Sequence, residues 1–313
     1  MFATYFFFVA GLILIIKGGD YFVDSATWVA RVTQLPEVII GATIVSLATT
    51  FPETIVSTLS AIQGQPSMAI GNAIGSTICN TGLVLGIYNL IKPSKVESTV
   101  FSFKGLIMIS YLLFFWILSK NRVIGLRSSI ILLFLLFAYI LFNIFIVRYK
   151  KQDKKKLKVR EIPDYKESVK QVIQFIFGIV LILFGADLLI THGVTLAKAW
   201  GVPEAIISLT LISLGTSLPE LVTAITALFK GHSGLSIGNI IGANILNICM
   251  VIGVSSQFGT LEITDQTYYF DTPVSIIINL FLILPTIFTK KIGRLQSVIL
   301  LVGYFTYILI LFN

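Results

Sequence analysis

The chain has 313 residues, 56% of them hydrophobic and only 12% charged, with a mean hydropathy of +0.92. A soluble domain carries roughly a quarter charged residues, so this chain could not cover a water-facing surface and must use lipid as its solvent. Soluble enzymes, nucleic-acid binders and secreted disulfide scaffolds are excluded; the net charge of +8 says little, because ten of the 23 basic residues lie between Arg148 and Lys170.

A spanning helix needs roughly 20 mostly apolar residues. On that basis ten spans are expected, at about 3–23, 37–62, 67–91, 101–119, 126–148, 170–198, 203–229, 235–257, 270–289 and 294–312. The apolar Met1–Ile16 has no basic flank and no small-residue cleavage site after it, which predicts a retained helix. The hydrophilic stretch 149–169 is expected to be a solvated basic loop. It divides the chain into halves 1–148 and 170–313, each of five spans.

Basic residues set orientation. With the Arg148–Lys170 loop in the cytoplasm, the loops holding Lys92, Lys95, Lys104, Lys230, Lys290, Lys291 and Arg294 lie there too. The opposite side then holds Lys120, Arg122, Arg127 and Lys198, with Glu262, Asp265 and Asp271. Ten spans place both termini outside, in a multi-pass protein of the plasma membrane.

Sliding the sequence along itself by 167 positions aligns the two halves. Gly11, Gly18 and Asp20 fall on Gly178, Gly185 and Asp187; Pro52-Glu53 falls on Pro219-Glu220; Gly71-Asn72 falls on Gly238-Asn239; Asn80 falls on Asn247. Five spans is an odd number, so the second copy is upside down relative to the first. The expected fold is an all-α integral membrane protein, ten transmembrane helices in two inverted five-helix repeats. That is the plan of secondary transporters, with the site at the midplane where the copies meet.

Span 2 carries one charged residue near its middle, Glu53, and span 7 carries Glu220 at the equivalent place. An acid at bilayer depth costs on the order of 2.5–3.5 kcal/mol on insertion scales, so a symmetric pair points to use. Each Glu follows a proline, which donates no N–H; the expected break releases carbonyls around Ser46–Thr49 and Ser213–Thr216. Ser46, Thr49, Thr50 and Glu53 share one helix face, and Ser213, Thr216, Ser217 and Glu220 repeat the pattern. In spans 3 and 8, Asn72, Ser76 and Asn80 are matched by Asn239, Ala243 and Asn247. Every donor is oxygen, which suits Ca²⁺ or Na⁺ over Zn²⁺, Cu or Fe. Two ionised carboxylates about 5 Å apart repel by roughly 3 kcal/mol at an effective dielectric near 20. One Ca²⁺, two Na⁺ or two protons cancel that charge, so the site must exchange ions rather than stand empty.

Gly41-Ala42-Thr43 and Thr49-Thr50-Phe51-Pro52-Glu53, with Gly71-Asn72-Ala73-Ile74-Gly75-Ser76 and Asn80, resemble the first alpha-repeat of the sodium/calcium exchangers. Leu214-Gly215-Thr216-Ser217-Leu218-Pro219-Glu220, with Gly238-Asn239-Ile240-Ile241-Gly242 and Asn247, resembles the second. The similarity spans the chain and is to compact prokaryotic members of the cation/Ca²⁺ antiporters. It implies that Glu53 and Glu220 clamp Ca²⁺ with the carbonyls of Thr49 and Thr216. Na⁺ would use the same pair, the carbonyls of Ser46 and Ser213, the hydroxyls of Thr49, Thr50, Ser76, Thr216 and Ser217, and the side chains of Asn80 and Asn247. Two positions depart from the pattern: Asn247 replaces an Asp of several members, and Ala243 replaces a Ser.

The expected function is Ca²⁺/Na⁺ antiport, with H⁺/Ca²⁺ antiport on the same carboxylates as the alternative. No nucleotide, haem or metal-cofactor motif is visible, so the partners are Ca²⁺, Na⁺ or H⁺ and the bilayer, and a functional monomer is expected. Gly231-His232-Ser233-Gly234 matches a GxSG string of intramembrane serine proteases, but it sits in a loop and reads as a turn. A channel is disfavoured by the inverted repeat. Cys79 and Cys249 read as small packing residues, and Asp20 and Asp187 as structural.

Overall fold

A computed structural model of the chain describes residues 2–96, 99–154, 164–201, 215 and 217–311. Among these, nine helices are long and apolar enough to cross a membrane. They are α1 (Phe2–Thr33), α2 (Glu37–Ile62), α3 (Pro66–Ile91), α4 (Thr99–Leu118), α5 (Leu126–Lys154), α6 (Tyr165–Ala199), α8 (Ser233–Ser255), α9 (Thr267–Thr289) and α10 (Arg294–Leu311). The span expected at 203–229 falls partly outside the described residues; its second part is α7 (Leu218–Lys230).

Helix ends depart from the expected ones where charge was taken as a stop. Helix α1 continues ten residues past 23, and α5 and α6 run into the basic stretch, to Lys154 and from Tyr165. A charged side chain is a good helix former at a membrane surface, so it ends the apolar stretch without ending the helix. Lys104 is a second correction: it is not a loop residue but a fully buried one inside α4.

The 167-residue repeat reappears in the backbone. Left-handed turns close α1 at Gln34 and α6 at Gly201, and they close α2 at Gly64 and α7 at Gly231. Helix α3 widens into a π-helical turn at Asn80–Val84, and α8 does so at Asn247–Val251. Two short antiparallel strand pairs then tie the halves together. Strand β1 (Ser94–Lys95) pairs with β4 (Lys291–Ile292), and β2 (Val123–Ile124) pairs with β3 (Leu261–Glu262). The 167-residue shift carries β1 onto β3 and β2 to within one residue of β4, so it maps one pair onto the other, as an inverted repeat requires.

Burial sorts the helices into layers. Helix α8 is buried along nearly all its length, and α3 along most of it, whereas α1, α5, α6 and α10 expose large apolar side chains such as Phe6, Ile13, Phe134, Phe177 and Phe305. The exposed ones face what would be lipid. Small residues let α8 cross α2 at backbone distance: a Cβ on Gly41 would lie 2.3 Å from the Leu235 carbonyl oxygen, and one on Gly242 2.4 Å from the Ser46 hydroxyl. The polar faces of both helices are thereby pressed together in the middle of the protein.

Candidate functional site

Ser46, Thr49, Thr50 and Glu53 project from one face of α2, and all four are buried. The proline before Glu53 does not break that helix as expected. Regular α geometry runs from Ser46 through Pro52 to Ile62, and the departure lies earlier, in a π-helical turn at Gly41–Val45 with Ala42 at φ −81°, ψ 20°. The reason is local. The Ala42 carbonyl, released from the helix ladder, is taken up by the Tyr139 hydroxyl at 2.6 Å and approached by the Lys104 ammonium at 3.5 Å. In the second half the described helix α7 begins at the proline: Ser217 is non-helical (φ −90°, ψ 5°) and immediately precedes a helix whose second residue is Pro219. Glu220 lies in the first turn of that helix, where the positive dipole end favours an acid.

Glu53 and Glu220 are both completely inaccessible to solvent. Their carboxylates stand close enough for direct coulombic interaction, and the Thr49 and Thr50 hydroxyls adjoin Glu220. None of the four carboxylate oxygens has a hydrogen-bond partner among the described residues. The same holds for the Thr50 hydroxyl, the side-chain oxygen of Asn80 and both amide atoms of Asn247, all buried. Unpartnered buried acceptors are costly to a fold, and carboxylate, hydroxyl and amide oxygens grouped in this way have the chemistry to coordinate a hard cation.

Neighbouring contacts hold this cluster in place. Ser217 donates to the Ser76 hydroxyl at 3.3 Å, joining α7 to α3. The Thr49 hydroxyl is within bonding distance of the Asn239 side-chain oxygen, 3.2 Å, and of the Ser46 carbonyl, 3.3 Å. Asn72 donates to the Ser57 hydroxyl at 2.9 Å and reaches the Glu53 carbonyl at 3.5 Å, bracing α3 against α2 behind the acid. Of the expected site residues, Glu53, Glu220, Ser46, Thr49, Thr50, Ser76, Ser217, Asn80 and Asn247 are all buried. Ser213 and Thr216 lie outside the described residues. Cys79 and Cys249 are buried thiols.

Residues 3–145 and 170–313 match the sodium/calcium exchanger protein family. The chain belongs to that family. It is 29% identical to the sodium/calcium exchanger MaX1 of Methanosarcina acetivorans over 96% of either chain. It is 31% identical to the inner membrane protein YrbG of Escherichia coli, over 97% of this chain and 95% of that one. A solved structure of the sodium-calcium exchanger NCX_Mj, soaked with 2.5 mM Na⁺ and 10 mM Sr²⁺, superimposes with a TM-score of 0.85 at 29% identity, covering 98% of both chains. The protein is a multi-pass membrane transporter of the cation/Ca²⁺ exchange class, not an enzyme. The GxSG string is a turn, as expected: Gly231 is left-handed, Ser233 opens α8, and His232 Nδ1 meets Glu37 Oε1 at 2.6 Å.

Among the buried polar residues that escaped the sequence reading are Asn244, Asn279 and Thr81. Their counterparts 167 positions away are Thr77, Leu112 and Ile248. A search for matched pairs passes over them. A polar side chain within an otherwise apolar span, taken singly, would have found them.

Proposed function

We propose that Glu53 and Glu220 form one shared cation site, through which the exchanger moves Ca²⁺ one way and Na⁺ the other by alternating access. The observation that carries this reading is the set of four buried carboxylate oxygens, facing one another without a partner among the described residues. One Ca²⁺ or two Na⁺ would satisfy the pair, and an unoccupied, doubly ionised pair is electrostatically unfavourable, so loading of one ion is tied to release of the other. Thr49, Thr50, Ser76, Ser217, Asn80 and Asn247 supply neutral oxygens, with Ser46, Ser213 and Thr216 completing the set. Such neutral oxygens favour Na⁺ over H⁺ as the coupling ion, because protons need no cage. The basic loop lies in the cytoplasm, both termini lie outside, and a single chain suffices.

The test is radiolabelled Ca²⁺ uptake into proteoliposomes loaded with Na⁺, compared with Na⁺-free vesicles and with vesicles holding only a pH gradient. Uptake should require internal Na⁺; uptake that follows the pH gradient and ignores Na⁺ would make the protein an H⁺/Ca²⁺ antiporter. Glu53→Gln and Glu220→Gln should each abolish uptake while the protein remains folded. Near-normal flux in both variants would refute the site.

A further inference from the structure

Asn80 has a side-chain oxygen without a partner among the described residues, but its amide nitrogen is committed: Nδ2 donates to the Asn244 side-chain oxygen at 3.2 Å. Asn244 Nδ2 donates in turn to the Thr81 hydroxyl at 2.8 Å and to the Asn279 side-chain oxygen at 3.1 Å. Thr81 also donates to that oxygen, at 2.8 Å, and Asn279 Nδ2 donates to the Ser275 backbone carbonyl at 2.8 Å. All four side chains are buried, from α3, α8 and α9.

The direction of this chain is forced from its far end. A backbone carbonyl can only accept, so Asn279 must turn its NH₂ to Ser275 and its oxygen to Thr81 and Asn244. Asn244 then has to present NH₂ to Asn279, which leaves its oxygen for Asn80. Asn80 must therefore donate, and its own oxygen is turned the other way. We propose that Asn279 and Asn244 are positioning residues that fix the polarity of the Asn80 amide, so that it offers an oxygen, never an NH₂, to the transported cation. This rests on the reading of Asn80 as a site residue. The repeat supplies a contrast: at the equivalent position, both amide atoms of Asn247 are unpartnered among the described residues, and the counterparts of Ser275 and Asn279 are Met108 and Leu112. One half of the site is oriented by a relay, and among the described residues the other half has none.

A double-mutant cycle distinguishes a relay from mere packing. Asn279→Leu keeps the volume and removes the acceptor, so Asn244 and then Asn80 can turn over. The external Ca²⁺ needed for half-maximal exchange should rise about tenfold, the worth of one hydrogen bond to a charged group, with maximal flux little changed. Asn80→Asp carries an oxygen on both branches and has no orientation to lose. In that background the relay holds the Asn244 oxygen against a carboxylate, so adding Asn279→Leu should leave affinity unchanged or improve it. An equal loss in both backgrounds, or no loss in the first, would overturn the proposal. Should Asn279→Leu fail to assemble, as judged by size-exclusion chromatography, Asn244→Leu carries the same cycle with the same reversal expected. Glu53→Gln is measured alongside. Flux retained there refutes the site itself, and the relay with it; flux abolished there together with an additive cycle refutes only the relay.

Discussion

Gly18 of α1 and Gly178 of α6 meet at backbone distance: a Cβ on Gly18 would lie 2.8 Å from the Gly178 carbonyl oxygen, and one on Gly178 2.9 Å from that of Gly18. Gly11 and Gly185 repeat the contact, each 2.8 Å from the other's carbonyl oxygen. The four glycines are two pairs related by the 167-residue repeat, so the helices cross antiparallel about their own twofold axis. Small residues are what allow helices to associate where lipid supplies no hydrophobic force. Gly18→Val should force the pair apart and destabilise the protein by about 1–3 kcal/mol, the usual range for overpacking. A thermal melt in detergent that matches the wild type would show that the crossing yields easily.

Lys104 and Tyr139 share one acceptor, the Ala42 carbonyl, while Lys104 also donates to Asn143 Oδ1 at 2.6 Å. Either donor alone keeps that carbonyl satisfied. Tyr139→Phe should therefore cost little in thermal stability, whereas Lys104→Met also strips the buried Asn143 Oδ1 of its donor and should cost about 1–3 kcal/mol. Together they should cost more than their sum, by about 1–3 kcal/mol for a buried carbonyl left unpaired. Strictly additive melting shifts would show that the turn at Ala42 does not depend on its donors.

Ala243 is buried on α8 between Asn239 and Asn247, one helical turn from each. Ala243→Ser restores the hydroxyl that the resemblance leads one to expect there. The Na⁺ required for half-maximal Ca²⁺ exchange should fall several-fold, about the effect of one added hydrogen-bonding oxygen on a charged ligand. An unchanged Na⁺ dependence would remove position 243 from the site.

Both native thiols are buried, so surface labelling of introduced cysteines has a low background. A Lys155→Cys variant should react with an impermeant maleimide from the cytoplasmic side. An Asp265→Cys variant should react from the outside; its native carboxylate is exposed and pairs with Arg122 at 3.1 Å. Labelling from the reverse sides would invert the topology drawn from the positive charges.

Much of the fold and of the candidate site is legible in the sequence because an inverted repeat writes its polar positions twice. Glu53 and Glu220 stand out as lone charges in apolar spans, and the hydroxyls around Glu53 fall on one face by helical periodicity alone. What escaped is what the two copies do not share. The chain Asn244–Asn279 has no counterpart in the first half, and Lys104, counted among surface charges, is an interior donor to α2. The kink of α2 was expected at Pro52 but falls at Ala42. A proline only removes a hydrogen bond, and the bend goes where tertiary donors can satisfy a released carbonyl.

The strand pairs β1–β4 and β2–β3 join the halves through opposite pairs of loops, and they are extended by the Val96 N–H to Lys290 O bond at 2.8 Å and the Ile263 N–H to Arg122 O bond at 2.9 Å. They act as a buckle at either end of a frame built from α3, α4, α5, α8, α9 and α10. The halves cannot part like jaws without unfastening both. Helices α1 and α6, which meet each other glycine to glycine, lie outside the buckles. A displacement of that outer pair would leave both buckles fastened.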